Sequence, residues 1–413
     1  MKRFVPLLVA LALLPQAAFA QSPAPVPQIA QVPSAITSLL GDYGRAWMTH
    51  DVSLLSETVT PVLARTESRA LYNAGEVDFS EYRVRTTTQF SGNLAYSRIQ
   101  SLYPHMEVRT YQIEQYTRIS YESKAYEEDG AFTFIRPRSG GGAYDGWRIA
   151  SKNDLNVLGV FSPSNLWDQS PVSILNGDHF IMLTHPAITQ EVRPWMAVAE
   201  KAYARASAFW PGSDEKTIVM EVPATQGELG SITHDTADLS NFVAFVSSGV
   251  SREHGYTPTG PRMFVNIGHL LTYPESAQVS VLAHELIHAL TRSESGPNTP
   301  TWIEEGLADD GGGTESLFAK VLEGGRVPGT FPPAERFVTG DVSDIQAAYA
   351  ESDVAIQVLL DKFGRAGVAR FYKTLGAARV VPGTEPYQVK KALSDSLHWS
   401  YDDWVAAWRK RLR

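Results

Sequence analysis

VLAHELIHALTRSESGPNTPTWIEEGLADD, running from Val281 to Asp310, is the stretch on which the reading of this chain turns. Within it His284, Glu285 and His288 form an H-E-x-x-H pattern. On a helix, positions i and i+4 lie one above the other on one face. Two imidazoles so placed can bind one metal ion, and Glu285 beside the first of them can take a proton from a water. The flanks suit a helix: Pro274 and Glu275 fit a first turn, and Ala277, Leu282, Leu286, Ile287 and Leu290 are mostly good helix formers. The bland alternative is a buried helix carrying two hydrogen-bonded histidines. A second helical run, Trp302 to Asp309, weighs against it by offering a carboxylate. His284, His288 and Glu305 would leave a fourth coordination position for water, the open arrangement of a catalytic site.

The pair H-E-x-x-H and W-x-x-E-G-x-A resembles the gluzincins, the thermolysin-like and aminopeptidase-like zinc metallopeptidases of the zincin fold. It looks most like the exported bacterial group with an E-G-L-A third-ligand helix. The resemblance is specific over Val281–Asp309 and loose from about Leu175 to Arg413. It implies one zinc ion held by His284, His288 and Glu305, with Glu285 as general base. Glu304 is the other candidate third ligand; the family register before Gly306 favours Glu305. Asp309, four residues beyond Glu305, stands where the family carries an acid that hydrogen-bonds a zinc-bound histidine. Such an acid fixes the imidazole tautomer and orientation. The family often places a tyrosine that stabilises the oxyanion in the region of Tyr349, and simple packing is the competing role for that residue. His254 and His269 are alternatives, and Arg292 and Arg326 are candidates to meet a substrate carboxylate.

Around this stretch the chain divides. Lys2 and Arg3, the apolar run Phe4–Leu14 and Ala18-Phe19-Ala20 read as a signal peptide over residues 1–20, followed by a Pro/Ala-rich linker at 21–35. The expected location is therefore exported, periplasmic or extracellular, without stable membrane insertion once the signal is cleaved. The 413 residues contain no cysteine, so disulfides are excluded and stability rests on core burial. A net charge of -9 argues against nucleic acid as a partner.

The expected fold class is α+β. Residues 36–156 read as an accessory domain. Its helical opening, Ile36–Leu63, is broken into two by His50-Asp51. Strands follow at Tyr82–Phe90, Arg109–Glu122, Gly130–Arg136 and Gly146–Lys152, with a turn at Glu127-Glu128-Asp129-Gly130. This order resembles the cone-shaped nuclear-transport-factor-like or SnoaL-like domains. Residues 157–174 read as the connection, and 175–413 as the peptidase-like domain. The latter begins with strands at His179–Leu183, Thr217–Val222, Asn241–Ser247 and Arg262–Ile267, with a helix at Thr189–Trp210. Either Asn241–Ser247 or Arg262–Ile267 is the candidate edge strand for an extended peptide. Gly311-Gly312-Gly313 reads as a flexible stop, followed by a short helix at Leu317–Leu322 and a loop at Gly324–Gly340. The rest is helical: Ser343–Phe363, Ala366–Leu375, Pro386–Leu393 and Tyr401–Leu412, with breaks at Gly364, Gly376 and Ser396.

Two function classes follow. One is an exported zinc peptidase acting on a peptide or protein substrate. The other is a non-catalytic exported binding module on a retired peptidase fold, for which an intact Glu285 would have no use.

Overall fold

A computed structural model describes residues 32–90, 94–139, 141–234, 243–251, 257–296, 299–314, 327–339, 341–378 and 385–413. The expected signal peptide, most of the linker, His254, Arg326 and the helix Leu317–Leu322 lie outside the described residues. The protein is mixed α and β, with a four-stranded sheet, a five-stranded sheet and a helical C-terminal half.

The chain opens with α1 (Ser34–Thr49), which buries Ile36, Leu39, Leu40, Tyr43 and Trp47 along one face. His50 takes a left-handed conformation (φ 52) at its end, and Asp51 accepts the Leu54 N–H to start α2 (Val52–Thr58). The expected break at His50-Asp51 is therefore present. Before the second sheet's strands, α3 (Pro61–Asn73), which opens on a Thr60 cap and Pro61, and α4 (Leu94–Leu102) are among the helices that have no counterpart in the elements expected from sequence.

β1 (Phe79–Phe90), β2 (Met106–Ile119), β3 (Tyr126–Pro137) and β4 (Arg148–Ser151) pair antiparallel in chain order. Here the structure corrects the expected turn at Glu127–Gly130. These residues run inside β3, with Tyr116 opposite Glu127 and Ile113 opposite Gly130. The turn-like composition is overridden by packing: a Cβ on Gly130 would stand 2.8 Å from Ser162 Cα and Pro163 Cδ. Trp47 stacks on Tyr82 with centroids 4.9 Å apart, in a core that also holds Tyr43, Phe79 and Phe132.

Residues 157–174, read as a connection, are packed. α5 (Leu166–Gln169) opens on a capping box between Asn165 and Asp168, and Leu166, Trp167 and Val172 are buried. β5 (Ser173–Asn176), β6 (Phe180–Thr184), α6 (Thr189–Val192), α7 (Met196–Phe209), β7 (Ile218–Val222) and α8 (Gln226–Thr233) follow. β8 (Ala244–Ser251) and β9 (Thr257–Val265) complete the second sheet, in order β5-β6-β7-β9-β8. β6, β7 and β9 are parallel, and β5 and β8 pair antiparallel at the two edges. Of the two candidate edge strands, Asn241–Ser247 thus contributes to the edge, through β8, while Arg262–Ile267 belongs to an inner strand.

The two sheets share one apolar core, in which Phe79, Phe132 and Trp167 join Ile181, Leu183, Val219, Phe245 and Phe264. The β2–β3 hairpin also lies directly on β8 and β9. The Gly260 N–H donates to the Ala125 carbonyl (2.9 Å), and a Cβ at Gly249 would come within 2.3 Å of the Glu127 carbonyl oxygen. Arg262 on β9 is fully buried. Its Nε and Nη2 each lie 3.1 Å from the Glu122 carboxylate, and Nη1 lies 3.5 Å from Glu221. Removing one partner of such a pair strands the others in a medium of low dielectric. Arg262→Met is therefore expected to lower the unfolding free energy by about 3–5 kcal/mol. Urea denaturation of the two proteins is the check, and a change within experimental error would show that the acids protonate at little cost.

After α9 (Ile267–Leu270) come α10 (Glu275–Thr291) and α11 (Thr301–Gly312), followed by α12 (Val342–Gly376), α13 (Glu385–Leu397) and α14 (Tyr401–Arg411). Gly364 breaks α12 at φ 66, as expected from sequence. The glycine run Gly311–Gly313 is not a simple stop. Gly311 and Gly312 are helical, and Gly313 (φ 69) forms the left-handed cap. The missing side chains let α11 lie against α10: a Cβ on Gly312 would be 2.8 Å from His284 Cα, and one on Gly311 2.8 Å from the Ile287 side chain. Gly306 does the same towards α12, where Ser352 O would be 2.4 Å away.

Candidate metal centre

α10 and α11 place the candidate residues. α10 is buried from Val281 to Thr291 except at His288, while its first turns are largely exposed or half-buried. Trp302 anchors the start of α11, stacked on Phe331 (4.0 Å between centroids) and tilted against Trp404 (5.1 Å). With Gly306 and Gly312 allowing close approach on two sides, the helix presents Glu305 and Asp309, one turn apart, to α10.

The structure brings His284, His288 and Glu305 together. His284 Nε2 lies 3.1 Å from His288 Nε2 and 3.3 Å from Glu305 Oε2, and His288 Nε2 lies 3.6 Å from Glu305 Oε2. A tetrahedral ion with nitrogen and oxygen ligands at about 2.0–2.1 Å needs donors about 3.3 Å apart. The three donors have that spacing. Glu305 Oε2 is buried and makes no hydrogen bond among the described residues, despite the two ring nitrogens beside it. An acceptor in that position matches a metal ligand better than a hydrogen-bonded acid. Of the three, only His288 reaches solvent, with 13% of its side chain exposed, so the site opens on that side.

Charge is concentrated here. Burial raises the Glu305 carboxyl, but His288 and His284 outweigh it and hold the group well below the usual range. Burial opposes protonation of His284, yet Asp309 and Glu305 push it well above the ordinary histidine value. Glu285 is 2% exposed, and burial pushes its carboxyl up to about 7 against the pull of His284 and His288. Its Oε2 accepts the Val246 N–H (3.1 Å), while Oε1 has no partner among the described residues. Val246 lies on edge strand β8 opposite Met263, so its amide turned away from β9 points at the base.

Asp309 is fully buried, not part of a solvated helix end. Its Oδ1 lies 2.9 Å from His284 Nδ1 and accepts the Thr314 hydroxyl at 2.5 Å. Glu304 turns elsewhere: Arg292 Nη1 is 3.9 Å away, and Tyr372 neighbours its carboxyl. Tyr349 on α12 is fully buried with its ring against Phe337 (5.2 Å between centroids). Burial, with the charges of Glu305, Asp309 and Glu285, raises its hydroxyl well above the ordinary value. The phenol thus lies within electrostatic reach of the centre but inside the core. His269 lies 3.0 Å from the Tyr273 hydroxyl.

Two groups of the centre have no signal in the sequence, the Val246 amide and Thr314. A backbone amide leaves no trace in the identity of its residue. Thr314 follows the glycine cap, where nothing in the spacing relates it to Asp309.

Asp309→Ala is expected to weaken metal binding about ten- to a hundredfold, the usual effect of losing an acid that orients a ligating histidine. Asp310→Ala is expected to change it little. Competition with a chromogenic chelator measures both, and equal losses would detach Asp309 from His284.

No protein-family model matches the chain, and no curated protein is significantly similar to it.

Proposed function

We propose that this protein is a zinc-dependent peptidase of the zincin fold, exported from the cell and acting on a peptide or protein substrate. The observation that carries this reading is the convergence of His284, His288 and Glu305 at tetrahedral spacing beside a buried carboxylate, Glu285, that is not one of the three. A purely structural metal site needs ligands and no base.

His284, His288 and Glu305 would hold the ion. When bound, zinc would supply a Lewis acid that makes a water easier to deprotonate and polarises a carbonyl. Glu285 has the two properties a general base needs. It has an oxygen, Oε1, with no partner among the described residues, and burial pushes its carboxyl up to about 7. The Val246 N–H holds the other oxygen and so fixes which one faces the reaction. Glu285 takes the proton of the attacking water and returns it to the leaving amine, so neither a covalent intermediate nor a Ser or Cys nucleophile is required. Asp309, itself held by Thr314, keeps His284 Nδ1 protonated and leaves Nε2 free to ligate. β8 is an edge strand, the kind of element along which an extended peptide can lie.

Zinc content and turnover of a peptide library test this together. The expected result is about one zinc per chain and cleavage that stops on chelation and returns with added zinc. The metal is also expected to raise the melting temperature, because a ligand that binds only the folded state stabilises it. Tightly bound zinc with no cleavage of any peptide would replace the enzyme by a binding module, and no zinc at all would remove the centre.

A further inference from the structure

Behind α11 is a cavity of about 260 Å³. Its walls are the end of α7 (Phe209, Trp210), Leu307 of α11, and Leu360, Val368 and Ala369 of α12. Leu307 is two residues from Glu305, about 200° around the helix, so this cavity is on the opposite side of α11 from the three donors. The cavity has room for several waters, whereas protein interiors normally leave few voids larger than one. The apolar walls give such waters few of the two to four partners that hold a water in place.

Two cations, Arg365 and Lys373, line the cavity at exposed positions, and no acid lines it. They differ in what already engages them. Lys373 Nζ lies 2.8 Å from Glu294. Arg365 lies with its guanidinium carbon 5.0 Å from the Phe209 ring centroid and donates to the Ala208 carbonyl (3.2 Å). No carboxylate pairs with Arg365 among the described residues. Its charge is thus held at the cavity by a ring and a carbonyl, and is not neutralised.

We propose that this cavity binds a small amphiphilic carboxylate, its apolar body between α7, α11 and α12 and its carboxylate on Arg365. Planar guanidinium groups recognise carboxylates in two-point fashion, and the ring beneath fixes the plane. Arg365, Ala369 and Lys373 form one stripe of α12, and eight residues at about 1.5 Å each span about 12 Å, which suits an extended tail of roughly eight to ten carbons. A free fatty acid and the C-terminal residue of an apolar peptide share this chemistry.

Decanoate, 1-decanol and a short peptide ending in a free apolar carboxylate are the probes, titrated calorimetrically into the full-length protein. Decanoate is expected to saturate one site, and decanol to bind about tenfold more weakly. Arg365→Gln should weaken decanoate about tenfold and leave decanol unchanged, Arg365→Lys should restore part of the difference, and Lys373→Gln should change neither more than about twofold. Ala369→Phe should exclude both. Should that variant fold poorly, a brominated decanoate locates the site in the parent protein: it should quench Trp210, and Trp210→Phe should remove the quenched fraction. Tighter binding of the peptide than of decanoate would assign the site to chain ends, and the reverse to free fatty acids. Absence of saturable decanoate binding up to about 1 mM, equal binding of decanol, or quenching unaffected by Trp210→Phe would each overturn the proposal.

Discussion

Glu285→Gln is expected to reduce peptide hydrolysis by about 10²–10⁴-fold while zinc content and melting behaviour stay those of the parent. The substitution is unusually clean here because the two carboxylate oxygens have separate tasks. Oε2 accepts the Val246 amide, and the glutamine carbonyl can continue to do so. The amide nitrogen then takes the place of Oε1, the atom without a partner among the described residues, and it cannot accept a proton. Glu285 is not among the three converging donors, so the ion should remain. A variant that keeps more than about a tenth of the activity would remove the general base from the mechanism. One that loses its zinc would show instead that Glu285 ligates the metal.

What is legible in the sequence, and what is not, follows from where the geometry originates. His284, Glu285 and His288, like Glu305 and Asp309, belong to helices, and a helix fixes the direction of residues four apart without help from the rest of the molecule. Helical periodicity therefore phases His284 with His288 and Glu305 with Asp309, whereas the choice of Glu305 over Glu304 and the pairing of Asp309 with His284 are in the sequence only implied by the resemblance to gluzincins. The break at His50-Asp51 and the kink at Gly364 are legible for a similar reason, since each is a local backbone event. Local signals mislead where distant chain decides. Glu127–Gly130 has a turn composition but lies in β3, because Pro163 and Ser162 pack on Gly130. Gly311 and Gly312 look like a stop but continue α11, because α10 leaves no room for a Cβ. The choice between β8 and β9 as the edge strand is a question of sheet order, which has no local signal. Val246 belongs to the site only because β8 is that edge.

Glu305→Ala is expected to weaken zinc binding by more than the about ten- to hundredfold assigned to Asp309→Ala, because it removes a ligand and not a group that orients one. The neighbouring Glu304→Ala should leave binding close to the parent value. The two acids are adjacent in sequence, equally charged and on the same helix, so any difference between the variants reports direction alone. Consecutive residues on a helix point about 100° apart. The Glu305 carboxylate faces the two imidazoles at 3.3 and 3.6 Å, whereas Glu304 is turned to Arg292 and Tyr372. Removing Glu304 leaves Arg292 without that acid and so acts on stability, read by thermal unfolding, without touching the donor set. Removing Glu305 leaves two imidazoles, which can share an ion only weakly, and no carboxylate to complete the donor set. Chelator competition measures both variants without any reliance on turnover, so the result stands whether or not a substrate is found. Equal losses, or a larger loss for Glu304→Ala, would mean that α11 is rotated in the working protein and that the third ligand is not Glu305.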